Sequence, residues 1–233
     1  MSSQFNYTVA PHLEEFAVPF PTFRAANPKY AHFVGGGLIF SRTAVPGDRG
    51  IKNGIEGEKQ PFRLLLLQRA FEDSYGGHWE GPGGSCDPED ETLLDGVARE
   101  IFEEAGLHVS RFVELIAKDE WAKLRPDRVD IVVKYTFLVE VHEAKPVISG
   151  DGHDESRLPA NKLDNGTVIP GLETSWEHRI KLDPAEHRAF EWVTEEEIRQ
   201  GEEDDSGKFK SFANQGKTML DAFQMLRERP LLA

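Results

Sequence analysis

Three glutamates near residue 100 have the spacing of one helix face. Glu100, Glu103 and Glu104 stand at i, i+3 and i+4, so a helix brings them to neighbouring positions on one side. Like charges at this spacing repel, and the repulsion grows beside an apolar face, where water is scarce. Clustered carboxylates without histidine or cysteine suit a hard divalent ion, above all Mg²⁺. The alternative is an acidic amphipathic helix whose glutamates face water, and the triad alone does not decide between them.

The segment that carries the triad is predicted to be a helix from about Pro88 to Ala105. Asp87 is suited to be its N-cap, with Pro88 at the first helical position. Gly106 is suited to end it. The opposite face is apolar and predicted to be buried; it comprises Leu93, Leu94, Val97, Ala98, Ile101 and Ala105.

Residues 84–107 resemble the Nudix box. The family pattern is Gly, five residues, Glu, seven residues, then Arg-Glu-apolar-any-Glu-Glu-any-Gly-apolar. Here Gly84 is followed after six residues by Glu91, and after seven more by Arg99-Glu100-Ile101-Phe102-Glu103-Glu104-Ala105-Gly106-Leu107. Every fixed position matches, with one spacing a residue longer. The surplus residue leaves the triad intact and puts the role of Glu91 in doubt, with Glu89 as the substitute.

The resemblance extends more loosely beyond the box, over about residues 31–225. Leu64–Arg69 and Trp79–Gly84 look like the preceding strands of the family, and Glu186-His187 followed by Trp192 looks like a downstream element. Similarity to Nudix hydrolases implies hydrolysis of the diphosphate linkage of a nucleoside diphosphate joined to another moiety.

The resemblance also implies roles for single residues of the box. Glu100, Glu103 and Glu104 would hold Mg²⁺, with Mn²⁺ as the alternative ion, and the carbonyl of Gly84 would be an extra ligand. Arg99 would support a box carboxylate through a forked hydrogen bond. Glu91 is assigned to the same structural support.

Residues outside the box complete the predicted site. Glu186 and His187 are the candidates for the general base, because either side chain can take a proton from water. The alternative is a surface pair. Arg69 is a candidate for a substrate phosphate or, alternatively, a salt-bridge partner. Trp79 is a candidate for stacking on a base or, alternatively, a core residue.

Strand and helix patterns alternate irregularly, so we expect an α/β (α+β) fold. The resemblance implies a Nudix-type mixed β-sheet sandwiched between helices. Residues 1–30 are predicted to be an extended N-terminal arm packed on the domain, and residues 31–227 a domain with loop insertions at 41–61 and 145–177. Predicted strands span about 31–40, 63–69, 129–141 and 190–193, and a last helix about 209–227. The glycines at 35–37 suggest close backbone approach, and Gly81–Gly84 is predicted to interrupt regular structure.

Composition limits the partners. The net charge of −14 disfavours a broad nucleic-acid surface but allows a small nucleotide substrate beside a bound cation. One cysteine, Cys86, excludes an internal disulfide, and no apolar run or leader-like segment indicates a membrane or secretion. We therefore expect a cytoplasmic protein without membrane contact. Its oligomeric state is open, with a homodimer as one alternative.

Two other functions share this fold. One is a catalytically silent Nudix-fold module that binds a nucleotide or regulates a partner. The other is an isoprenoid diphosphate isomerase, which would require a reactive cysteine and a further glutamate in the pocket. The substrate class is also open, because nucleotide sugars, ADP-ribose, dinucleoside polyphosphates, oxidised nucleoside triphosphates and coenzymes share the cleaved group.

Overall fold

A mixed β-sheet forms the centre of the molecule. The computed structural model describes residues 5–42, 62–144, 176–204 and 207–229. In these ranges the strands are β1 (Thr8–Val9), β2 (His32–Ser41), β3 (Arg63–Arg69), β4 (Trp79–Glu80), β5 (Gly83–Ser85), β6 (Val109–Leu124), β7 (Val129–Val141) and β8 (His187–Val193). The helices are α1 (Phe20–Ala26), α2 (Leu93–Ala105), α3 (Glu195–Glu203) and α4 (Gln215–Glu228), with short 3-10 turns at Pro11–Phe16, His142–Ala144 and Trp176–His178.

The strands pair in the order β1-β6-β7-β2-β3-β4, with β5 added to β2 and β8 added to β3. Strands β2 and β7 run parallel from His32↔Val132 onward, and β1 is parallel to β6. The other pairs are antiparallel. The predicted mixed sheet is therefore confirmed.

Alternating residues of β3 face the two sides of the sheet, as strand geometry requires. Leu65 and Leu67 pack into the core that contains the apolar face of α2. Leu64 and Leu66 pack into the second core, with residues of α3 and α4. All four leucines are buried. The sheet is thus sandwiched between helices, as the resemblance implied.

Helix α2 lies unusually close to β2. A Cβ atom on Gly35 would collide with Val97, and one on Gly37 would lie 2.5 Å from Cδ1 of Ile101. The missing side chains therefore let the helix settle onto the strand, which confirms the close backbone approach expected for these glycines. This contact fixes the depth at which the rest of α2 sits against the sheet.

The N-terminal segment packs into the α2-side core, and the prediction of an extended conformation is wrong. Pro11 begins the 3-10 turn, and Pro21 lies in the first turn of α1, where proline is well tolerated. Phe16, Phe20 and Phe23 are buried with the core aromatic residues. The prolines that suggested an extended chain in fact begin two short helical segments.

The start of α2 was also predicted incorrectly. The helix begins at Leu93, and its N-cap is Thr92, whose side chain accepts a hydrogen bond from the Asp95 backbone N–H at 3.0 Å. Asp87 instead closes a turn, where its backbone N–H donates to Asp90. The helix ends as predicted, with Gly106 in the left-handed conformation (φ 68°).

Three further elements differ from the prediction. Strand β6 was missed because register shifts between Val109 and Ala117 interrupt its alternation of apolar and polar residues. Helix α3 was missed although Thr194 and Glu197 form a capping box at its start. Strand β5 forms within the glycine-rich segment predicted to be irregular.

Helix α4 begins at Gln215, six residues after the predicted start, because Phe209 packs against Trp79 ahead of the helix. No helix in the described ranges is long and apolar enough to cross a membrane. Of the predicted loop insertions, residues 43–61 and 145–175 lie outside the described ranges.

Candidate active site

The last two turns of α2 face the glycine-rich strand β5, and this brings two box glutamates against its backbone. The Gly83 N–H donates to Oε2 of Glu104 at 2.7 Å. A Cβ on Gly84 would lie 2.5 Å from Oε2 of Glu100, so only glycine leaves room for that carboxylate. The structure therefore brings Gly84 together with Glu100 and Glu104. Glu103 points outward, with 53% of its side chain exposed.

Arg99 holds two of the box carboxylates in place. Its Nη1 donates to Glu100 and to Glu103, each at 2.9 Å. Its Nη2 donates to the Ser85 carbonyl at 2.9 Å, and its Nε donates to Asp90 at 3.1 Å. The guanidinium thus ties α2 to β5 and to the turn before the helix. This geometry agrees with the predicted supporting role of Arg99.

Asp90, and not Glu91 as predicted, makes the supporting contact with Arg99. The Glu91 side chain is exposed, and its backbone carbonyl accepts a hydrogen bond from the Phe20 N–H at 2.8 Å. Asp90 contacts Arg99 through both of its carboxylate oxygens. Five residues separate Gly84 from Asp90, as in the family pattern, and eight instead of seven separate Asp90 from Arg99. The sequence therefore contained the signal, but an aspartate stands where the pattern has glutamate.

Strand β8 begins beside the end of α2 and adds two more predicted residues to the site. One ligand atom each from Glu104, Glu186 and His187 can be chosen so that all three lie within 4.8 Å of one another. His187 is buried, with 1% of its side chain exposed, whereas Glu186 is exposed. The two candidates for the general base therefore have very different access to solvent.

Glu80 is a site residue that the sequence reasoning missed. It is buried on β4, its Oε1 lies 3.6 Å from Nε2 of His187, and it forms an ion pair with Arg69. Gln215 donates to its other oxygen at 3.4 Å and accepts a hydrogen bond from Lys134, also at 3.4 Å. A buried glutamate beside a glycine turn has no local signature, since its partners come from four distant segments.

Burial governs the protonation of the site carboxylates. Burial raises the pKa of Glu104 to about 9, and the nearby charges of Glu80 and Glu100 add to the effect, although the Gly83 N–H opposes it. Burial likewise raises the pKa of Glu100 to about 7, against the charge of Arg99. For Glu80, burial opposes ionisation, but the nearby His187 ring and the charges of Lys134 and Arg69 outweigh it and lower the pKa.

The site carries excess negative charge. Its carboxylates are Glu80, Asp90, Glu100, Glu103, Glu104 and Glu186, and the cationic side chains beside them are Arg69, Arg99 and Lys134. The potential ligand atoms are mostly hard oxygens, and they lie close together in a partly buried site. This arrangement fits a divalent cation, which would supply the missing positive charge.

The structure places Arg69 in salt bridges and Trp79 in the core, which were the alternatives to substrate binding for these two residues. Arg69 is an ion-pair partner of Glu80 and Asp73, and its Nε donates to the Ser74 carbonyl at 2.7 Å. Trp79 is a core residue, 3% exposed and packed edge-on against Phe209, so its face is closed to a base. The exposed ring nearest in sequence to this strand is Tyr75, whose one face stacks on Phe212.

Cys86 lacks the properties of a reactive thiol. Burial raises its pKa to about 12, and the negative charge of Asp90 adds to this. It packs against the α2-side core. The structure therefore provides no thiolate here for the isomerase alternative.

The fold and the site define a mixed α/β domain with a carboxylate cluster at the end of one helix. A family model for the NUDIX domain matches residues 55–168. This range includes the whole box from Gly84 to Leu107. The chain therefore belongs to the Nudix family. Comparison with curated protein sequences gave no match.

Solved structures with similar folds include several Nudix proteins. The MutT protein of Methanosarcina mazei Go1 is 20% identical, with 86% of this chain and 97% of that chain covered and a TM-score of 0.45. A Caenorhabditis elegans Ap4A hydrolase in a binary complex is 15% identical, with 85% and 99% covered and a TM-score of 0.44. The NUDIX domain of Shewanella oneidensis NrtR, complexed with ADP ribose, is 14% identical, with 83% and 87% covered and a TM-score of 0.46.

The raised pKa of Glu104 predicts how stability depends on pH. Without divalent cations, the native protein keeps a proton on Glu104 up to about pH 9, whereas the unfolded chain releases it near the ordinary value of 4.5. The stability that this group contributes is therefore complete below the unfolded pKa and is lost as pH rises toward 9. Between pH 7 and 9, the free energy of unfolding of the wild-type protein in EDTA should fall by up to about 1.4 kcal/mol per pH unit.

Urea denaturation at several pH values measures this slope. Glu104→Gln should flatten it, whereas Glu89→Gln, at an exposed position ahead of α2, should leave it unchanged. Equal slopes for the wild type and Glu104→Gln would show that Glu104 is ionised in the native protein.

Proposed function

We propose that this protein is a Mg²⁺-dependent hydrolase that cleaves the diphosphate linkage of a nucleoside diphosphate joined to another moiety. The observation that carries the proposal is the burial of Glu104 beside Glu80 and Glu100 in a site with excess negative charge. A helix whose glutamates merely faced water would have no reason to bury one of them. Membership of the Nudix family supplies the reaction class.

The residues that would hold the cation are Glu100, Glu103 and Glu104, with the carbonyl of Gly84 as an additional ligand. When bound, the cation would neutralise the phosphate oxygens and acidify a nearby water. Arg99 orients Glu100 and Glu103 through its hydrogen bonds, so it is a supporting residue. The Gly83 N–H orients Glu104 in the same way.

Glu186 is the general base in this proposal. Its carboxylate is exposed and lies beside Glu104, so it can accept a proton from an attacking water and release it to solvent. His187 is enclosed between Glu80 and Glu104 and has no comparable access. Glu186 and His187 were both candidates for the general base on sequence, and the difference in their burial favours Glu186.

A nucleotide-binding or regulatory module without turnover is the competing function. The two readings share the fold and the cation site, so only turnover separates them. A panel of ADP-ribose, a nucleotide sugar and a dinucleoside polyphosphate provides the probes. A protein that binds one of these compounds with Mg²⁺ present, yet releases no product, would be such a module.

The triad prediction concerns Glu103 and Glu104. Glu103→Gln and Glu104→Gln should each abolish most turnover at saturating Mg²⁺, because each removes a charged oxygen ligand. Glu89→Gln should retain the wild-type rate, since this exposed side chain lies outside the cluster. Product release from the active panel compound is the measurement. Wild-type rates in both triad variants would refute the assignment of these carboxylates.

The base prediction concerns Glu186. Glu186→Gln should lower kcat by roughly 10²–10⁴-fold with little change in substrate binding. Because a carboxylate can also bind a cation, affinity for Mg²⁺ is measured beside the rate. Weakened Mg²⁺ binding that fully explains the loss would make Glu186 a ligand. Near-normal turnover in Glu186→Gln would move the base into the box, to Glu100.

A further inference from the structure

His187 has two buried ring nitrogens without hydrogen bonds. Its side chain is 1% exposed, and neither Nδ1 nor Nε2 has a partner among the residues that the structure describes. Buried polar groups are almost always hydrogen-bonded, because a lost bond to water must be replaced. An imidazole with two unpaired nitrogens therefore indicates that a further partner, such as a bound ion, belongs beside the ring.

The Nδ1 side of the ring faces Glu104. The distance from Nδ1 to Oε1 of Glu104 is 4.0 Å, which is too long for a hydrogen bond. It is within the roughly 4.2 Å that two ligands on opposite sides of one cation span, since metal–nitrogen and metal–oxygen bonds are about 2.1 Å each. Glu186 belongs to the same cluster, since one ligand atom each from Glu104, Glu186 and His187 can be chosen so that all three lie within 4.8 Å of one another.

The Nε2 side of the ring faces Glu80, at 3.6 Å. Glu80 is itself held by the ion pair with Arg69 and by Gln215. A histidine that binds a metal through one nitrogen commonly directs its other N–H to a carboxylate, which fixes the tautomer and the ring orientation. Glu80 lies in the position of that carboxylate, on the Nε2 side of the ring.

We propose that Nδ1 of His187 is a direct ligand of the divalent cation held by Glu104, with Glu80 as the positioning carboxylate behind the ring. The inference rests on the cation site of the proposed function, but it requires no turnover. An imidazole among carboxylates shifts a site from Mg²⁺ toward first-row transition ions. Of Mg²⁺ and Mn²⁺, the site therefore prefers Mn²⁺.

The same ring has a competing explanation as an imidazolium ion between two carboxylates. That arrangement would stabilise the fold through charge alone. It would place no nitrogen on a bound cation and would create no preference for Mn²⁺. The two explanations therefore differ in a spectroscopic property of the cation.

Electron spin-echo envelope modulation of Mn²⁺ bound to the full chain tests the assignment directly. The wild-type protein, without substrate, should show modulation from a directly bound ¹⁴N nucleus, and uniform ¹⁵N labelling should shift it. Mn²⁺ that binds without nitrogen modulation would overturn the proposal. So would a protein that binds no Mn²⁺. This experiment needs no variant and so does not depend on how a variant folds.

Calorimetric titrations with Mn²⁺ and Mg²⁺ give the second readout. Wild type should bind Mn²⁺ more tightly than Mg²⁺, His187→Gln should lose this preference, and Glu80→Gln should weaken Mn²⁺ binding by roughly 10–100-fold. His108→Gln is the matched control, since His108 is exposed and pairs with Glu143 at 2.7 Å, and it should bind as wild type. An unchanged preference in a folded His187→Gln protein would overturn the proposal.

Failure of this inference is distinguishable from failure of the proposed function. If the protein hydrolyses a panel compound with Mg²⁺ but its bound Mn²⁺ shows no nitrogen modulation, only the role of His187 is refuted. Nitrogen-coupled Mn²⁺ without any hydrolysis would remove the hydrolase and leave the ligand assignment standing.

Discussion

The carboxylate of Glu104 lies inside the protein, and the arrangement of the other site residues follows from this burial. A buried carboxylate loses its hydration and must find hydrogen bonds, counter-charges or a proton. The Gly83 N–H provides one hydrogen bond. The remaining neighbours include Glu80 and Glu100, which increase the demand for positive charge. The raised pKa of Glu104 is the consequence, because a proton removes the uncompensated charge when no cation is bound.

The depth of Glu104 is set by packing far from the chemistry. Gly35 and Gly37 allow α2 to approach β2 closely through Val97 and Ile101. The next turns of the helix then reach β5 and the start of β8. Since Glu104 stands one turn beyond Glu100, it enters the interior while Glu103 points outward. The packing of the apolar face of α2 thus positions the crowded carboxylates at its end.

Much of the site could be predicted because its signals are local. Spacing alone brings Glu100 and Glu104 to one side of α2, with Glu103 beside them pointing outward, and the glycines of β2 indicated the close approach. The role of Arg69 and Trp79 could not be fixed, because their alternatives differ only in long-range contacts. Glu80 was missed for the same reason: its partners lie on β3, β8, β7 and α4.

The incorrect predictions of secondary structure have identifiable physical causes. Thr92 competes with Asp87 as a cap, and both residue types are good N-caps, so the sequence favoured the one followed by proline. The bulges of β6 break its alternation, which hides a long strand from pattern analysis. The prolines of the N-terminal segment are compatible with both an extended chain and helix starts. In each case, tertiary contacts decide between local alternatives.

In the folded protein a divalent cation should relieve the crowding around Glu104, which it cannot do in the unfolded chain. Thermal unfolding, followed by circular dichroism in EDTA, in millimolar Mg²⁺ and in Mn²⁺, tests this most directly. Binding to the native state alone should raise the melting temperature with cation concentration. The increase should be lost in Glu104→Gln. A melting temperature that is the same in EDTA and in either cation would contradict the account and leave the α2 carboxylates as a helix face without a bound ion.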